Sequence, residues 1–147
     1  MLEVLVNGCN GKMGQVVCDL VEKDEELLLK CGFDKENTGE FAFPVYTNIN
    51  EITEKPDVII DFSIPIATFN ILEYAKENKV PVVIATTGFT EEQENLIKEY
   101  SFEDKIEIEN MMNEKEIEKD KFAKYILEML QTMIDDIIKK INEEKAQ

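Results

Sequence analysis

The chain contains no histidine, no tryptophan and no arginine; all 16 of its basic residues are lysine. Without histidine it lacks the commonest general acid/base and the commonest transition-metal ligand, so Ser-His-Asp, Cys-His and His-Glu-x-x-His chemistries are excluded and no metal site is expected. Cysteine is scarce and odd in number: Cys9, Cys18 and Cys31 show no Cys-x-x-Cys spacing, which favours free thiols in a reducing compartment over a disulfide framework or a zinc site. Long apolar runs are also missing. Val82-Val83-Ile84-Ala85 falls far below the roughly 20 residues a spanning helix needs, and the N-terminus lacks a charged segment followed by an apolar one. The expectation is a cytoplasmic protein with no membrane partner.

What is abundant is negative charge. Thirty-two acidic residues leave a net charge of -16, which opposes attraction to phosphate backbones and anionic lipid, so nucleic acid is not an expected partner. At 147 residues and 44% hydrophobic content, the chain can bury one core but not two full-sized ones.

Leu2-Glu3-Val4-Leu5-Val6 is a short β-prone run ending at the turn signal Asn7-Gly8. Met13, Val16, Val17, Leu20 and Val21 then recur at steps of three and four, which predicts a helix over 12–23, and residues 27–33 read as a second strand. Residues 34–44 show no periodicity and read as a loop or weak edge element. A short helix is expected around 48–54, a strand over 58–62, a helix opened by Pro65 and carrying Phe69, Leu72, Tyr74 and Ala75, and a strand over 80–85. Thr90-Glu91-Glu92-Gln93 is a capping-box pattern opening a further helix, and residues 105–109 alternate like a strand. Strands alternating with helices at this rhythm predict an α/β fold, a Rossmann-like doubly wound parallel sheet. From about Glu114 the pattern changes: Ala123, Leu127, Leu130, Ile134, Ile137 and Ile141 step by four and three, predicting one long C-terminal amphipathic helix over 117–142. Two segments are expected: 1–112 as the α/β domain, and 113–147 as a helix packing on it or on a partner chain.

Gly8-Cys9-Asn10-Gly11-Lys12-Met13-Gly14 lies where a nucleotide-binding turn belongs, directly after the first strand and opening the first helix. The first glycine permits the tight turn, the middle one lets the backbone approach a pyrophosphate, and the last allows helix and sheet to pack closely; the ligand's charge meets the helix N-terminus. The spacing is GxxGxxG, a variant of the usual GxGxxG. Asp34, 20 residues after Gly14, is placed to bind adenosine ribose hydroxyls, while Lys35 beside it is suited to a 2′-phosphate. The alternative is that the glycines merely turn the chain and Asp34 is a solvated acid. Asp61-Phe62-Ser63 and Thr86-Thr87-Gly88 follow predicted central strands, either at the ligand edge of the sheet or as caps of the helices after them. Cys9 admits a redox reading, since a helix N-terminus lowers a thiol pKa, against a plain packing role.

In order and spacing, residues 8–14, Asp61-Phe62-Ser63-Ile64-Pro65, and Ala85-Thr86-Thr87-Gly88-Phe89 with Glu91-Glu92-Gln93 resemble the cofactor half of the 4-hydroxy-tetrahydrodipicolinate reductase (dihydrodipicolinate reductase) family of bacterial lysine and diaminopimelate biosynthesis. The resemblance covers roughly residues 1–110. It implies an NADH or NADPH site in which Gly8, Cys9, Asn10, Gly11, Lys12 and Met13 wrap the pyrophosphate and Asp34 takes the ribose. Lys35 would allow either cofactor, and Phe62, Ala85, Thr86 and Thr87 would lie beside the nicotinamide. Members usually carry glycine where Ala85 stands, and Asn110 aligns with an asparagine after the next strand. The family's substrate domain carries a histidine pair, a catalytic lysine and a Lys-x-Asp-Ala-Pro-Ser-Gly-Thr segment, none of which is found in these 147 residues. No catalytic residue is therefore assigned, and the expectation is a pyridine-dinucleotide-binding domain not competent alone. The alternative is an inactive oligomeric or regulatory module with a vestigial nucleotide site, self-associating through its C-terminal helix.

Overall fold

The computed structural model describes residues 1–38, 40–103 and 108–110, with the single positions 139, 143 and 146. In order the chain forms β1 (Leu2–Asn7), α1 (Lys12–Lys23), β2 (Leu27–Phe33), β3 (Val45–Tyr46), β4 (Val58–Asp61), α2 (Pro65–Asn78), β5 (Val82–Ile84), α3 (Glu91–Glu103) and β6 (Ile108–Asn110). All pairings are parallel, and the strands lie in the order β3-β2-β1-β4-β5-β6. The sheet therefore grows from β1 in one direction and, after β3, from β1 in the other. Right-handed crossovers in opposite directions put α1 on one face and α2 with α3 on the other. This is the doubly wound Rossmann-like arrangement that the alternating pattern predicts.

Alternation along the strands divides the core. Leu5, Cys31, Ile59, Val82 and Ile84 meet Ile71, Leu72, Tyr74 and Ala75 of α2 and Ile97 of α3 in one cluster. The alternate residues Val4, Val6, Val58, Ile60 and Val83 are buried on the other face, to which α1 brings Val17, Cys18 and Val21. The strands are apolar on both sides because both sides are covered. Pro65 occupies the first turn of α2, which ends where Lys79 turns left-handed at φ +57°. At α3 the capping box forms: Gln93 N–H donates to Thr90 Oγ1 at 3.2 Å and Thr90 N–H to Gln93 Oε1 at 2.9 Å.

Two expectations need amendment. The short helix expected over 48–54 is a single 3₁₀ turn, Ile49–Glu51, started by the Asn48 side chain accepting from Asn50 N–H at 3.0 Å. The segment has too few residues before Pro56 to propagate a helix. Just beyond the expected loop lies β3, drawn to the sheet edge by Gly32 N–H donating to Pro44 O at 2.9 Å and Asp34 N–H to Tyr46 O at 3.1 Å. The strand expected over 105–109 is β6, described at Ile108–Asn110. The chain divides into two units, Met1–Asn113 and Glu114–Gln147. Apart from the helical position 139, the long helix expected over 117–142 lies outside the described residues. Among those residues no helix is long and apolar enough to cross a membrane.

Candidate functional site

The carboxyl ends of β1 and β4 meet at the point where strand order reverses, and Asn7 stands opposite Asp61 in register. Crevices at such points are where ligands of open α/β sheets bind. Three segments reach this edge: the glycine turn after β1, residues 62–64 after β4, and residues 85–89 after β5.

The three glycines of the turn do different work. Gly8 has φ +83°, and a Cβ there would lie 2.0 Å from the Phe62 carbonyl oxygen; one at Gly14 would lie 1.9 Å from the Gly8 carbonyl oxygen. These two positions let β1, β4 and α1 close on one another. Gly11 is exposed, and a Cβ there would meet only Gly8 O, at 3.3 Å. It is also the N-cap of α1, with no side-chain cap and no acid in the first turn. Space beside Gly11 and free N–H groups at a positive helix end are what a pyrophosphate requires, so the turn fits a dinucleotide.

Asp34, at the end of β2, reaches back to this turn. Its Oδ2 accepts from Asn10 N–H at 2.9 Å and its Oδ1 from Lys35 N–H at 2.8 Å. The Asn10 side-chain amide donates to Glu36 O, and Gln15 Nε2 donates to Asn10 O at 2.8 Å. The carboxylate is thus held by two backbone donors, with lone pairs left over for a ribose. Lys12 and Lys35 are exposed near the turn, and Met13 is half-buried.

Two predicted site residues turn inward. Cys9 is fully buried, close enough to Gly32 that a Cβ there would lie 2.7 Å from its sulfur. Burial, with the Asp34 charge as a lesser cause, pushes its thiol up to about 11. Burial of the side chain thus favours the packing role of Cys9 over the redox reading. Thr86 is also buried, its hydroxyl donating to Asp61 Oδ2 at 2.8 Å and accepting from Ser63 N–H at 2.8 Å. Thr87 is exposed and Phe62 half-buried. Ala85 is 5% exposed, so its methyl is packed within the domain. Asn110 ends β6 opposite Ile84.

Sequence reading offered Asp61 for this edge but did not show it to be the centre of a hydrogen-bond network. Asp61 is completely buried and accepts four side-chain hydrogen bonds: Asn7 Nδ2 at 2.9 Å, Ser63 Oγ at 2.5 Å, Thr68 Oγ1 at 2.5 Å and Thr86 Oγ1 at 2.8 Å. Burial holds its carboxyl above the usual carboxylate value, opposed by the bonds from Ser63, Thr68, Thr86 and Asn7. The capping reading of Asp61 and Ser63 does not hold, since the N-cap of α2 is Ile64 with no side-chain cap, and α3 is capped by Thr90. The available signal was a lone acid ending the β-branched run Val58-Ile59-Ile60. Among the described residues no group of three or more histidine, cysteine or acidic side chains is placed to hold a metal.

A parallel sheet of this order with a glycine turn at its switch point defines the class: a Rossmann-like NAD(P)-binding domain of the oxidoreductases. The family described as "Dihydrodipicolinate reductase, N-terminus" matches residues 2–113. The chain is 45% identical over 103 residues to 4-hydroxy-tetrahydrodipicolinate reductase of Caldanaerobacter subterraneus subsp. tengcongensis, covering 70% of this chain and 41% of that protein. The same enzyme of Clostridium novyi is 41% identical over 101 residues, covering 69% of this chain and 40% of that protein. A dipicolinate-bound dihydrodipicolinate reductase from Paenisporosarcina sp. TG-14 superposes with a TM-score of 0.63 at 29% identity, covering 75% of this chain and 46% of that one. The chain belongs to the dihydrodipicolinate reductase N-terminal family, and it spans about two fifths of the length of these curated relatives.

Proposed function

We propose that residues 1–112 form the cofactor-binding part of a 4-hydroxy-tetrahydrodipicolinate reductase, holding NADH or NADPH across the carboxyl edge of β1 and β4. The observation that carries this reading is the uncapped N-terminus of α1 behind an exposed Gly11, in a chain of that family. When bound, the dinucleotide supplies the hydride. The backbone of residues 8–13 takes the pyrophosphate, Lys12 adds a cation there, and Asp34 accepts from the adenosine ribose. Lys35 tolerates a 2′-phosphate, and Phe62 with the backbone of Ala85, Thr86 and Thr87 borders the nicotinamide. The histidine pair and the Lys-x-Asp-Ala-Pro-Ser-Gly-Thr segment by which the family's substrate domain works are not found in these 147 residues. By itself it therefore binds cofactor without turning over substrate.

Isothermal titration with NADH and with NADPH, repeated on Gly11→Glu, tests this. Micromolar binding that disappears in the variant is expected, because an anionic side chain would occupy the pyrophosphate's place. No heat from the folded wild type with either cofactor would defeat the reading. The reductase reading makes the chain cytoplasmic, in keeping with three unpaired cysteines.

A further inference from the structure

We propose that Asp61 is a positioning residue for the nicotinamide end of the cofactor site; the inference rests on the cofactor reading above. Alternation along the strands puts Asn7, Asp61 and Thr86 on the face covered by α2: Asn7 and Asp61 pair one row beyond Leu5, Ile59 and Val82 of the apolar cluster, in the row that Ile84 completes, and Thr86 lies two residues past Ile84. At that row the core ends and the ligand edge begins. One carboxylate there collects donors from the end of β1 (Asn7), the segment after β4 (Ser63), the second turn of α2 (Thr68) and the segment after β5 (Thr86).

Three of the four branches of this network border a residue assigned to the cofactor, and the fourth, Thr68, ties it to α2. Asn7 precedes Gly8, Ser63 follows Phe62, and Thr86 lies between Ala85 and Thr87. Thr86 is the bridge, since its hydroxyl donates to Asp61 while accepting from Ser63 N–H, each at 2.8 Å. That hydroxyl's one proton goes to Asp61 and the residue is buried, so the hydroxyl works inside the protein. Its work is to fix the spacing of residues 62–63 and 86–87, leaving Phe62 and Thr87 toward the surface of the edge. A carboxylate suits the post because it accepts at both oxygens and all four partners can donate to it at once. An amide of the same size offers one accepting oxygen, so two of the four donors lose their acceptor and their hydroxyls must turn round to accept instead, which undoes the bond from Thr86. The glycine turn has a second hold of its own through Asp34 and Asn10, so it depends less on Asp61 than the segments after β4 and β5 do.

The test measures NADH and ADP-ribose, which lacks the nicotinamide, on the full chain by titration calorimetry. Asp61→Asn and Thr86→Val are expected to weaken NADH by about tenfold or more while leaving ADP-ribose within about threefold, because only the nicotinamide half loses its preset spacing. Thr86→Ser, which keeps the hydroxyl, is expected to restore both affinities. Equal loss for both ligands, or no loss of NADH, would overturn the proposal. Thermal unfolding followed by circular dichroism identifies a variant that fails to fold; should Asp61→Asn do so, the contrast between Thr86→Val and Thr86→Ser decides. Failure of the wild type to bind either ligand would defeat the cofactor reading itself, whereas equal losses in the variants would defeat only the role of Asp61.

Discussion

Glycines that look alike in the motif differ in what depends on them. Gly8 and Gly14 are packed against backbone, with added Cβ atoms 2.0 Å and 1.9 Å from carbonyl oxygens, whereas Gly11 has only Gly8 O at 3.3 Å. Gly8→Ala should therefore cost more than about 2 kcal/mol in urea unfolding, through both clash and left-handed strain. Gly11→Ala should cost less than about 1 kcal/mol, the loss of a mildly favourable N-cap. The thiols make a second residue-scale prediction. Burial is the largest cause holding Cys9 up to about 11, and Cys18 and Cys31 up to about 12. In the native protein at pH 8 they should resist a thiol reagent, and all three should react once urea unfolds the chain. An unfolded thiol titrates near the ordinary value of 9.0. The folded form holds its protons more tightly, so this contribution is complete below pH 9. It is lost between about pH 9 and 11 to 12, at about 1.4 kcal/mol per thiol per pH unit.

Elements were legible because their signals are local. Steps of three and four over 12–23, Pro65 at the first turn of α2, and the capping box of Thr90 and Gln93 each operate within a turn or two. Thr90→Ala should lower stability by about 1 kcal/mol and fray α3, measured by urea unfolding and amide exchange. Lys79 is the only residue other than glycine with positive φ among the described residues, at +57°. Lys79→Gly should stabilise the protein by up to about 1 kcal/mol, since glycine enters the left-handed region without strain. The two-residue β3 was not legible, because backbone bonds to β2 hold it where its own sequence carries no alternation.

At the scale of the molecule, a charge of -16 repels itself and any anionic ligand. Thermal unfolding followed by circular dichroism should shift upward by a few degrees as sodium chloride rises from roughly 10 to 200 mM, because screening relieves that repulsion. On the proposed reading a dinucleotide would overcome the same field only locally, at the helix end of α1 with Lys12 and Lys35 exposed near the turn.

Apart from β3 and the 3₁₀ turn at Ile49–Glu51, the order of the described elements was determined by sequence alone, as were the glycine turn between β1 and α1 and the position of Asp34 directly after β2. Tertiary structure alone decided that Cys9 and Thr86 turn inward, and that Asp61 joins three segments of the ligand edge. Those outcomes depend on parallel register between β1, β4 and β5, which brings Asn7 and Thr86 to a carboxylate 54 and 25 residues away. Such pairings leave no periodic trace in the chain, because the partners lie on different strands and meet only when the sheet forms.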